Sequence, residues 1–184
     1  TAHAAIDLVV DLTTLPGGQD GAPNVLTVRM ADPATLELTF DGDAADATPG
    51  APVGRWPLAD LSTLEVIGGS DSDAVLIEET AHGLPQLSGD LAPGAVGTLG
   101  GLSGSAHKGA AFVATGATPA DVAMHVDGGM GGVDGVSIRL SGAHAMQYFA
   151  DVVAAERSGV LNVEGALSLS FANRTPIDFL GGGG

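Results

Sequence analysis

Residues 64–77, LEVIGGSDSDAVLI, predict two β-strands joined by a tight turn. Leucine, valine and isoleucine on both sides of the turn suit a pleated, buried surface. Gly68 and Gly69 can adopt the positive φ values that a sharp bend requires. Asp71 and Asp73 can accept hydrogen bonds from turn N–H groups or supply oxygen ligands to a cation. We therefore expect a strand–turn–strand unit here, with acidic side chains in its turn.

Turns of this kind recur along the chain. Four of the glycine pairs, which begin at positions 17, 68, 128 and 181, are 51, 60 and 53 residues apart. Strand-like segments flank these pairs, and a near-constant spacing of this type is typical of a repeat architecture. We expect a single β-rich domain over residues 1–184. We expect it to contain about three repeats of about 50 residues, at 17–67, 68–127 and 128–180.

The composition favours a narrow β-stack. Hydrophobic residues make up 45% of the 184 residues, but only 1 Trp, 1 Tyr and 5 Phe are present. The core must therefore be built from small aliphatic side chains, which suit a repetitive β-stack better than a large sandwich with aromatic residues between its sheets. The predicted fold class is mainly β, either a parallel β-solenoid-like stack or a β-sandwich repeat stack.

Charge and residue usage exclude several classes of partner. The chain has 22 acidic and 6 basic residues, a formal net charge of −16. Nucleic acid and anionic membranes need basic residues to neutralise phosphate, so neither is an expected partner. No segment approaches the roughly 18 apolar residues of a membrane span. The absence of cysteine excludes disulfides and thiolate metal sites.

The expected location of the protein is extracellular, at the cell surface. Few lysines, many aspartates and no cysteine fit an exported protein, and an acid-rich cytoplasm would give the same composition. The chain begins at Thr1 with neither an initiator methionine nor a signal peptide, which indicates a processed mature form or an excised fragment.

Strand patterns occur in most of the chain. Residues 41–53 carry no such pattern and are expected to form an acidic surface loop. The first strand pattern, within residues 5–12, stands at the chain terminus, where residues 6–12 can cap a sheet or pair with another molecule. Further strands are expected at 25–30, 35–40, 111–115, 121–126, 136–140, 160–163, 166–171 and 177–180. For 121–126 a helix is the alternative, because residues 118–121 have the features of a helix start.

One α-helix is expected at about 143–158, docked on the β structure. The apolar residues of this segment fall on one helical face, and Gly159 offers a stop at its end. These residues are Met146, Phe149, Val152 and Val153.

Two segments resemble the nonapeptide repeat Gly-Gly-x-Gly-x-Asp-x-U-x of RTX proteins. Residues 68–76 match it with Asp71 in place of the third glycine, and residues 129–137 match it with Met130 in place of the second. In that family, tandem repeats stack as a parallel β-roll whose aspartates and turn carbonyls hold Ca²⁺. In this chain the turns are single and far apart, so an RTX roll in the strict sense is not expected.

A closer resemblance is to long, repetitive, secreted surface proteins of bacteria. Their motif has the form Leu-x-x-Leu-x-Val-x-Gly-Gly-x-x-x-Asp-x-Val/Leu, and residues 57–69 and 171–182 are similar to it. The resemblance implies a parallel β-solenoid or a related β-rich repeat, a cell-surface location, and a structural or adhesive role.

The acidic turn residues leave two chemical interpretations open. They can ligate Ca²⁺, which takes six to eight oxygen ligands on flexible turns, or they can only cap the turns through hydrogen bonds. The candidate calcium ligands are Asp20, Asp71, Asp73 and Asp134.

No motif indicates catalysis. The five histidines are dispersed, and adjacent Glu78 and Glu79 would point to opposite faces of a strand, so they cannot form a glycosidase pair. We therefore expect a non-enzymatic structural subunit that forms or decorates a surface filament or layer. Self-association through the terminal strand 6–12 would assemble it. The alternative is a calcium-stabilised adhesin module that binds glycan or a host surface.

Overall fold

The computed structural model describes residues 6–45, 49–87, 123–129, 132, 134–150, 159–163, 167–172 and 177–181. Strands dominate this part of the chain, and the only helical segments in it are two 3₁₀ turns, at Leu12–Thr14 and Leu58–Asp60. The strands are β1 (Ile6–Asp11), β2 (Asn24–Asp32), β3 (Thr35–Asp41), β4 (Ala51–Pro57), β5 (Leu61–Ile67), β6 (Asp73–Glu78), β7 (Met124–Asp127), β8 (Gly135–Leu140), β9 (Met146–Ala150), β10 (Gly159–Val163), β11 (Leu167–Ala172) and β12 (Ile177–Gly181). The expected mainly β fold is confirmed.

The strands form two six-stranded sheets. Sheet A has the order β1-β5-β7-β11-β10-β9, and sheet B has the order β12-β8-β6-β2-β3-β4. In sheet A the strands β1, β5, β7 and β11 are parallel neighbours, and in sheet B so are β2, β6, β8 and β12. The chain passes from sheet A to sheet B in each of the successions β1–β2, β5–β6, β7–β8 and β11–β12. The parallel strands therefore follow one another in the same order in both sheets.

An antiparallel pair extends each sheet at one end. Strands β3 and β4 continue sheet B beyond β2, and strands β10 and β9 continue sheet A beyond β11. Within the part of the chain that the structure describes, the edge strands are β1 and β9 in sheet A, and β12 and β4 in sheet B.

The core is formed by the inward-facing side chains of the two sheets. Leu64 and Val66 of sheet A and Val75 and Ile77 of sheet B are fully buried in one hydrophobic cluster that both sheets share. The parallel pairing brings equivalent residues side by side, so that Val66 pairs with Val10 and with Val126. Small aliphatic side chains fill most of this cluster, as the composition predicts.

The predicted α-helix at 143–158 is wrong where the structure describes it. Residues 146–150 form β9, which pairs antiparallel with β10, and residues 151–158 lie outside the described part of the chain. Tyr148 and Phe149 have high strand propensity, and pairing with a neighbouring strand outweighs a helical pattern that rests on only a few residues.

The predicted loop at 41–53 is wrong at its end, which belongs to β4. The strand begins at Ala51 and contains Pro52 and Pro57, which sequence reasoning treats as breakers. Proline is tolerated there because β4 is an edge strand. The strand predicted at 111–115 and the start of that at 121–126 lie outside the described residues, whereas 124–127 form β7. No helix in the described residues is long and apolar enough to cross a membrane.

Candidate functional site

The glycine turns stack on one another at one end of the strands. The Gly68 N–H donates to the Asp127 carbonyl at 2.7 Å. A Cβ on Gly68 would lie 2.5 Å from the Gly128 carbonyl oxygen, and one on Gly129 would lie 2.4 Å from the Gly69 oxygen. Gly129 also has φ +76°. Side chains at these positions would collide with the backbone of the neighbouring turn, so close stacking requires glycine.

A buried row of polar residues, the turn column, lies beside these glycines. It consists of Asn24 at the start of β2, Asp73 at the start of β6, and Asp134 directly before β8. Asn24 Nδ2 donates to Asp73 Oδ1 at 2.9 Å, and the Asp73 N–H donates to Asp134 Oδ1 at 2.9 Å. Asp73 Oδ2 also accepts a 2.6 Å hydrogen bond from the Gly69 N–H. The column therefore links three successive turns.

Hydrogen bonds within the turn column offset the free-energy cost of burying Asp73. A buried charge is costly unless hydrogen bonds or counter-charges compensate it. Asp73 accepts one bond from its own turn and one from the neighbouring strand. Within the described residues, the buried Asn24 Oδ1 has no hydrogen-bond partner.

The structure separates the predicted calcium ligands into two groups. Asp73 and Asp134 come together in the turn column. Asp71 is half-buried and its Oδ2 accepts from the Gly21 N–H at 3.0 Å, whereas exposed Asp20 accepts from the Ala22 N–H at 2.9 Å. In the part of the chain that the structure describes, no three His, Cys, Asp or Glu side chains converge as a metal site. Each predicted ligand thus acts as a hydrogen-bond acceptor, and calcium binding stays a prediction.

A second polar row, the charge ladder, crosses sheet B on its outer face. Its charges alternate along five neighbouring strands in the order Arg139, Glu78, Arg29, Glu37, Arg55. Arg29 Nη2 lies 2.8 Å from Glu37 Oε2 and Arg29 Nη1 lies 3.9 Å from Glu78 Oε2. Arg55 Nε donates to Glu37 Oε1 at 2.8 Å, and Arg139 Nη1 pairs with Glu78 Oε1.

The ladder concentrates three of the chain's six basic residues in one row. Hydrogen bonds from Arg55 and then Arg29 hold the pKa of Glu37 below its usual value. The sequence contains one regularity that points to this row: Arg29, Glu78 and Arg139 each stand five residues after a member of the turn column. Only the strand order makes the ladder residues neighbours.

Glu79 anchors the loop that follows β8. Its Oε2 accepts from the N–H groups of Ser141 at 2.6 Å and Gly142 at 3.2 Å, and its Oε1 lies 2.9 Å from His144 Nε2. Burial favours a raised pKa for Glu79, but the hydrogen bonds from Ser141, His144 and Gly142 outweigh it and hold the pKa below its usual value. The role visible here is to fix a loop.

A serine, a histidine and a glutamate occupy one row of sheet A. His125 Nδ1 lies 2.8 Å from Ser170 Oγ, and Glu65 is the register neighbour of His125 on its other side. Burial and the charge of Asp127 raise the pKa of Glu65. These residue types serve nucleophilic catalysis elsewhere. His125 and Ser170 are fully buried, so no substrate can reach the Ser170 hydroxyl in this conformation.

The exposed large hydrophobic residues mark the two edges of sheet A. Among the described residues they are Ile6 and Val9 on β1, at 49% and 52% exposure, and Met146 on β9, at 41%. The β4 edge of sheet B differs, because it carries Pro52, Pro57 and the charged end of the ladder. Proline and basic residues protect an edge strand against pairing. β1 has neither, and its charged residues are Asp7 and Asp11.

No protein-family model matches this chain, and neither a curated protein nor a solved structure shows detectable similarity to it. The resemblance to secreted repeat proteins therefore rests on the sequence motifs alone.

Proposed function

We propose that this chain is a non-enzymatic structural subunit of an extracellular filament or surface layer that assembles by strand pairing. This proposal rests on the position of β1, which forms most of the predicted terminal strand 6–12. β1 lies at the edge of sheet A, pairs with β5 alone among the described residues, and exposes Ile6 and Val9. An edge strand presents unpaired N–H and C=O groups that another chain can bind.

The proposed fold is a short parallel β-solenoid. Each pair of one sheet-A and one sheet-B strand would form one coil, and the shared strand order of the two sheets supports this arrangement. The glycine turns at 17–18, 68–69 and 128–129 then lie in the middle of the coils. A structural unit would therefore run from one sheet-A strand to the next, rather than from glycine pair to glycine pair.

Charge controls the proposed assembly. At −16 formal charge, copies repel one another at low ionic strength, and salt screens this repulsion over a Debye length of about 10 Å at 0.1 M. We therefore expect assembly to increase with salt. The acidic composition without cysteine supports the proposed extracellular location.

The test is a concentration series of the purified chain, followed by size-exclusion chromatography and negative-stain electron microscopy at 0.05 M and 0.5 M NaCl. The proposal predicts elongated assemblies that increase with concentration and salt. A single monomer peak at every concentration, with and without Ca²⁺, contradicts it.

The alternative proposal is a calcium-stabilised adhesin module. It is favoured by the burial of Asp73, Asp134 and the Asn24 amide, whose Oδ1 has no hydrogen-bond partner within the described residues. A weak extracellular site with Kd of order 10⁻⁴ M would stabilise the fold by roughly 1–2 kcal/mol at millimolar Ca²⁺.

The alternative predicts a melting temperature that rises with Ca²⁺ more than with Na⁺ at equal ionic strength. Asp71→Asn with Asp73→Asn should remove the difference. Melting curves unchanged by a chelator at constant ionic strength would mean that the acids only form turns. Glycan-array binding tests the adhesive role, and silence from a folded, calcium-loaded protein contradicts it.

A further inference from the structure

We infer that β1 of one copy pairs in parallel with β9 of a second copy, so that the subunits join head to tail through sheet A. This inference rests on the proposed function and names the two surfaces that assembly would use. Its partner is a second copy of this chain.

Strand direction allows this contact. β1, β5, β7 and β11 run parallel, β10 runs against them, and β9 runs against β10. The two edges of sheet A therefore point in the same direction. A second copy in the same orientation continues the sheet with a parallel pair, the same pairing that joins β1 to β5.

The register of sheet A indicates which residues would meet. The row that begins at Val10 passes through Val66, Val126, Phe171 and Gly159 and ends at Ala150. A copy added without slip therefore places β9 residues 146–150 beside β1 residues 6–10. Ile6 then lies opposite Met146 of the second copy.

The apolar exposure of the edges complements this register. Ile6 and Met146 are both exposed in the single copy and would cover each other in the contact. Burying such apolar side chains is favourable, because it removes them from water. In this stacking β12 of the second copy comes beside β4, because both sheets have six strands. Pro52 and Pro57 disfavour hydrogen bonding there, so sheet A carries the strand pairing.

The stagger of the two sheets disfavours a symmetric pairing of β1 with β1. In the proposed solenoid, β3 and β4 project past β1 by two strands, about 10 Å at 4.7–4.9 Å per strand. A two-fold axis perpendicular to sheet A would bring both hairpins into the same layer, where they collide. A head-to-tail contact avoids this collision, and because it is heterologous it generates an open filament.

Three single substitutions test the inference. Ile6→Lys and Met146→Glu each put a charge into the contact and should raise the concentration needed for assembly at least about tenfold. Thr27→Lys on the outer face of β2, an inner strand of sheet B, is the control and should assemble like the unchanged chain. Circular dichroism melting shows whether each variant folds, and Val9→Lys replaces Ile6→Lys if that variant does not.

Mixing the two charged variants gives the decisive result. Lys at position 6 of one copy would face Glu at position 146 of the other, so the mixture should regain filaments that neither variant forms alone. If Ile6→Lys blocks assembly but Met146→Glu does not, strand pairing stands and the β1–β9 contact is wrong. If Thr27→Lys blocks it as strongly, added charge rather than the edge contact prevents assembly, and the inference is wrong. If the unchanged chain does not assemble, the proposed function fails with it.

Discussion

Two rows of polar residues cross strands at opposite ends of β2, β6 and β8. The turn column has its members where these strands begin, and the charge ladder has three of its members five residues later. The pairs are Asn24 and Arg29, Asp73 and Glu78, and Asp134 and Arg139. The column is buried, whereas the ladder arginines Arg29, Arg55 and Arg139 are 42%, 66% and 53% exposed.

The difference shows where polar contacts determine the fold. A buried donor that loses its acceptor keeps the full desolvation cost, about 1–3 kcal/mol per group, because water cannot replace the partner. Water can solvate an exposed guanidinium that loses its carboxylate, so a surface ion pair contributes only about 0–1 kcal/mol. We therefore expect the turn column to be essential for folding and the ladder to adjust stability.

The largest effect is expected from Asp73→Ala. This substitution leaves the Gly69 N–H and Asn24 Nδ2 without their acceptor, and we expect a loss of about 3–5 kcal/mol of unfolding free energy. Urea denaturation followed by circular dichroism measures it. Asp73→Asn, which keeps one acceptor oxygen, should lose less.

Glu78→Ala is the matched control, because Glu78 ends the strand that Asp73 begins. Its partners Arg29 and Arg139 are exposed, so its loss should be about 1 kcal/mol or less. Equal losses for Asp73→Ala and Glu78→Ala would remove the distinction between the two rows.

The next largest effect is expected from Gly129→Ala. The new Cβ combines a positive φ with a collision against the Gly69 oxygen, and we expect a loss of roughly 2–4 kcal/mol. Gly21→Ala separates these causes, since Gly21 has φ +87° but nothing within 4 Å of its Cβ position. It should cost only about 1 kcal/mol. Thermal melting of both variants measures the difference, and equal losses would mean that the turns are not closely stacked.

A smaller effect is expected from Glu37→Gln, at the centre of the ladder. It weakens the hydrogen-bonded pairs with Arg29 and Arg55, and the loss should be about 1 kcal/mol at low salt. At 1 M NaCl the loss should shrink, because the ladder arginines are open to solvent. The loss from Asp73→Ala should stay unchanged by salt. Glu37 itself is buried, so a salt-independent Glu37→Gln effect would mean that its burial, rather than the exposure of its arginine partners, determines the loss.

The smallest expected effects concern pH, and they have opposite signs in the two sheets. Glu37 has a lowered pKa, so its stabilising contribution is present above the unfolded value, about 4.3, and is lost as pH falls through the folded pKa. Glu65 has a raised pKa, so its ionised form opposes folding at neutral pH and this opposition disappears as pH falls.

The unfolding free energies of the corresponding variants should therefore differ at pH 7 and approach each other under acid conditions. Glu37→Gln should lower the unfolding free energy at pH 7, whereas Glu65→Gln should raise it. Urea titrations between pH 3.5 and 7 measure, for each variant, the slope with pH of its difference in unfolding free energy from the unchanged chain. Slopes of the same sign would contradict the assigned environments of these two glutamates.

Local patterns predicted most of the described strands. Alternating aliphatic residues located β3, and the glycine–aspartate turn correctly separated β5 from β6. The local pattern did not predict β9 or β4. Pairing with β10 determines β9, and the edge position determines β4. Both depend on contacts between residues that are far apart in the sequence, and a short stretch of sequence does not show them.

The candidate site was predictable in residue type but not in arrangement. Asp73 and Asp134 stood at matching positions of two similar motifs, which allowed both to be selected. Asn24 was missed because an amide replaces the carboxylate there. The ladder was missed because Glu78 and Arg139 are 61 residues apart and become neighbours only through the parallel pairing of β6 and β8.

The most direct test of the proposed assembly is the axial repeat of the filament, measured by cryo-electron microscopy or fibre diffraction. Each copy contributes six strands to sheet A, so head-to-tail continuation predicts a subunit rise of about 29 Å and a strand reflection near 4.7–4.9 Å along the same axis. A strand reflection perpendicular to the filament axis, or a protein that stays monomeric under all conditions, would contradict it.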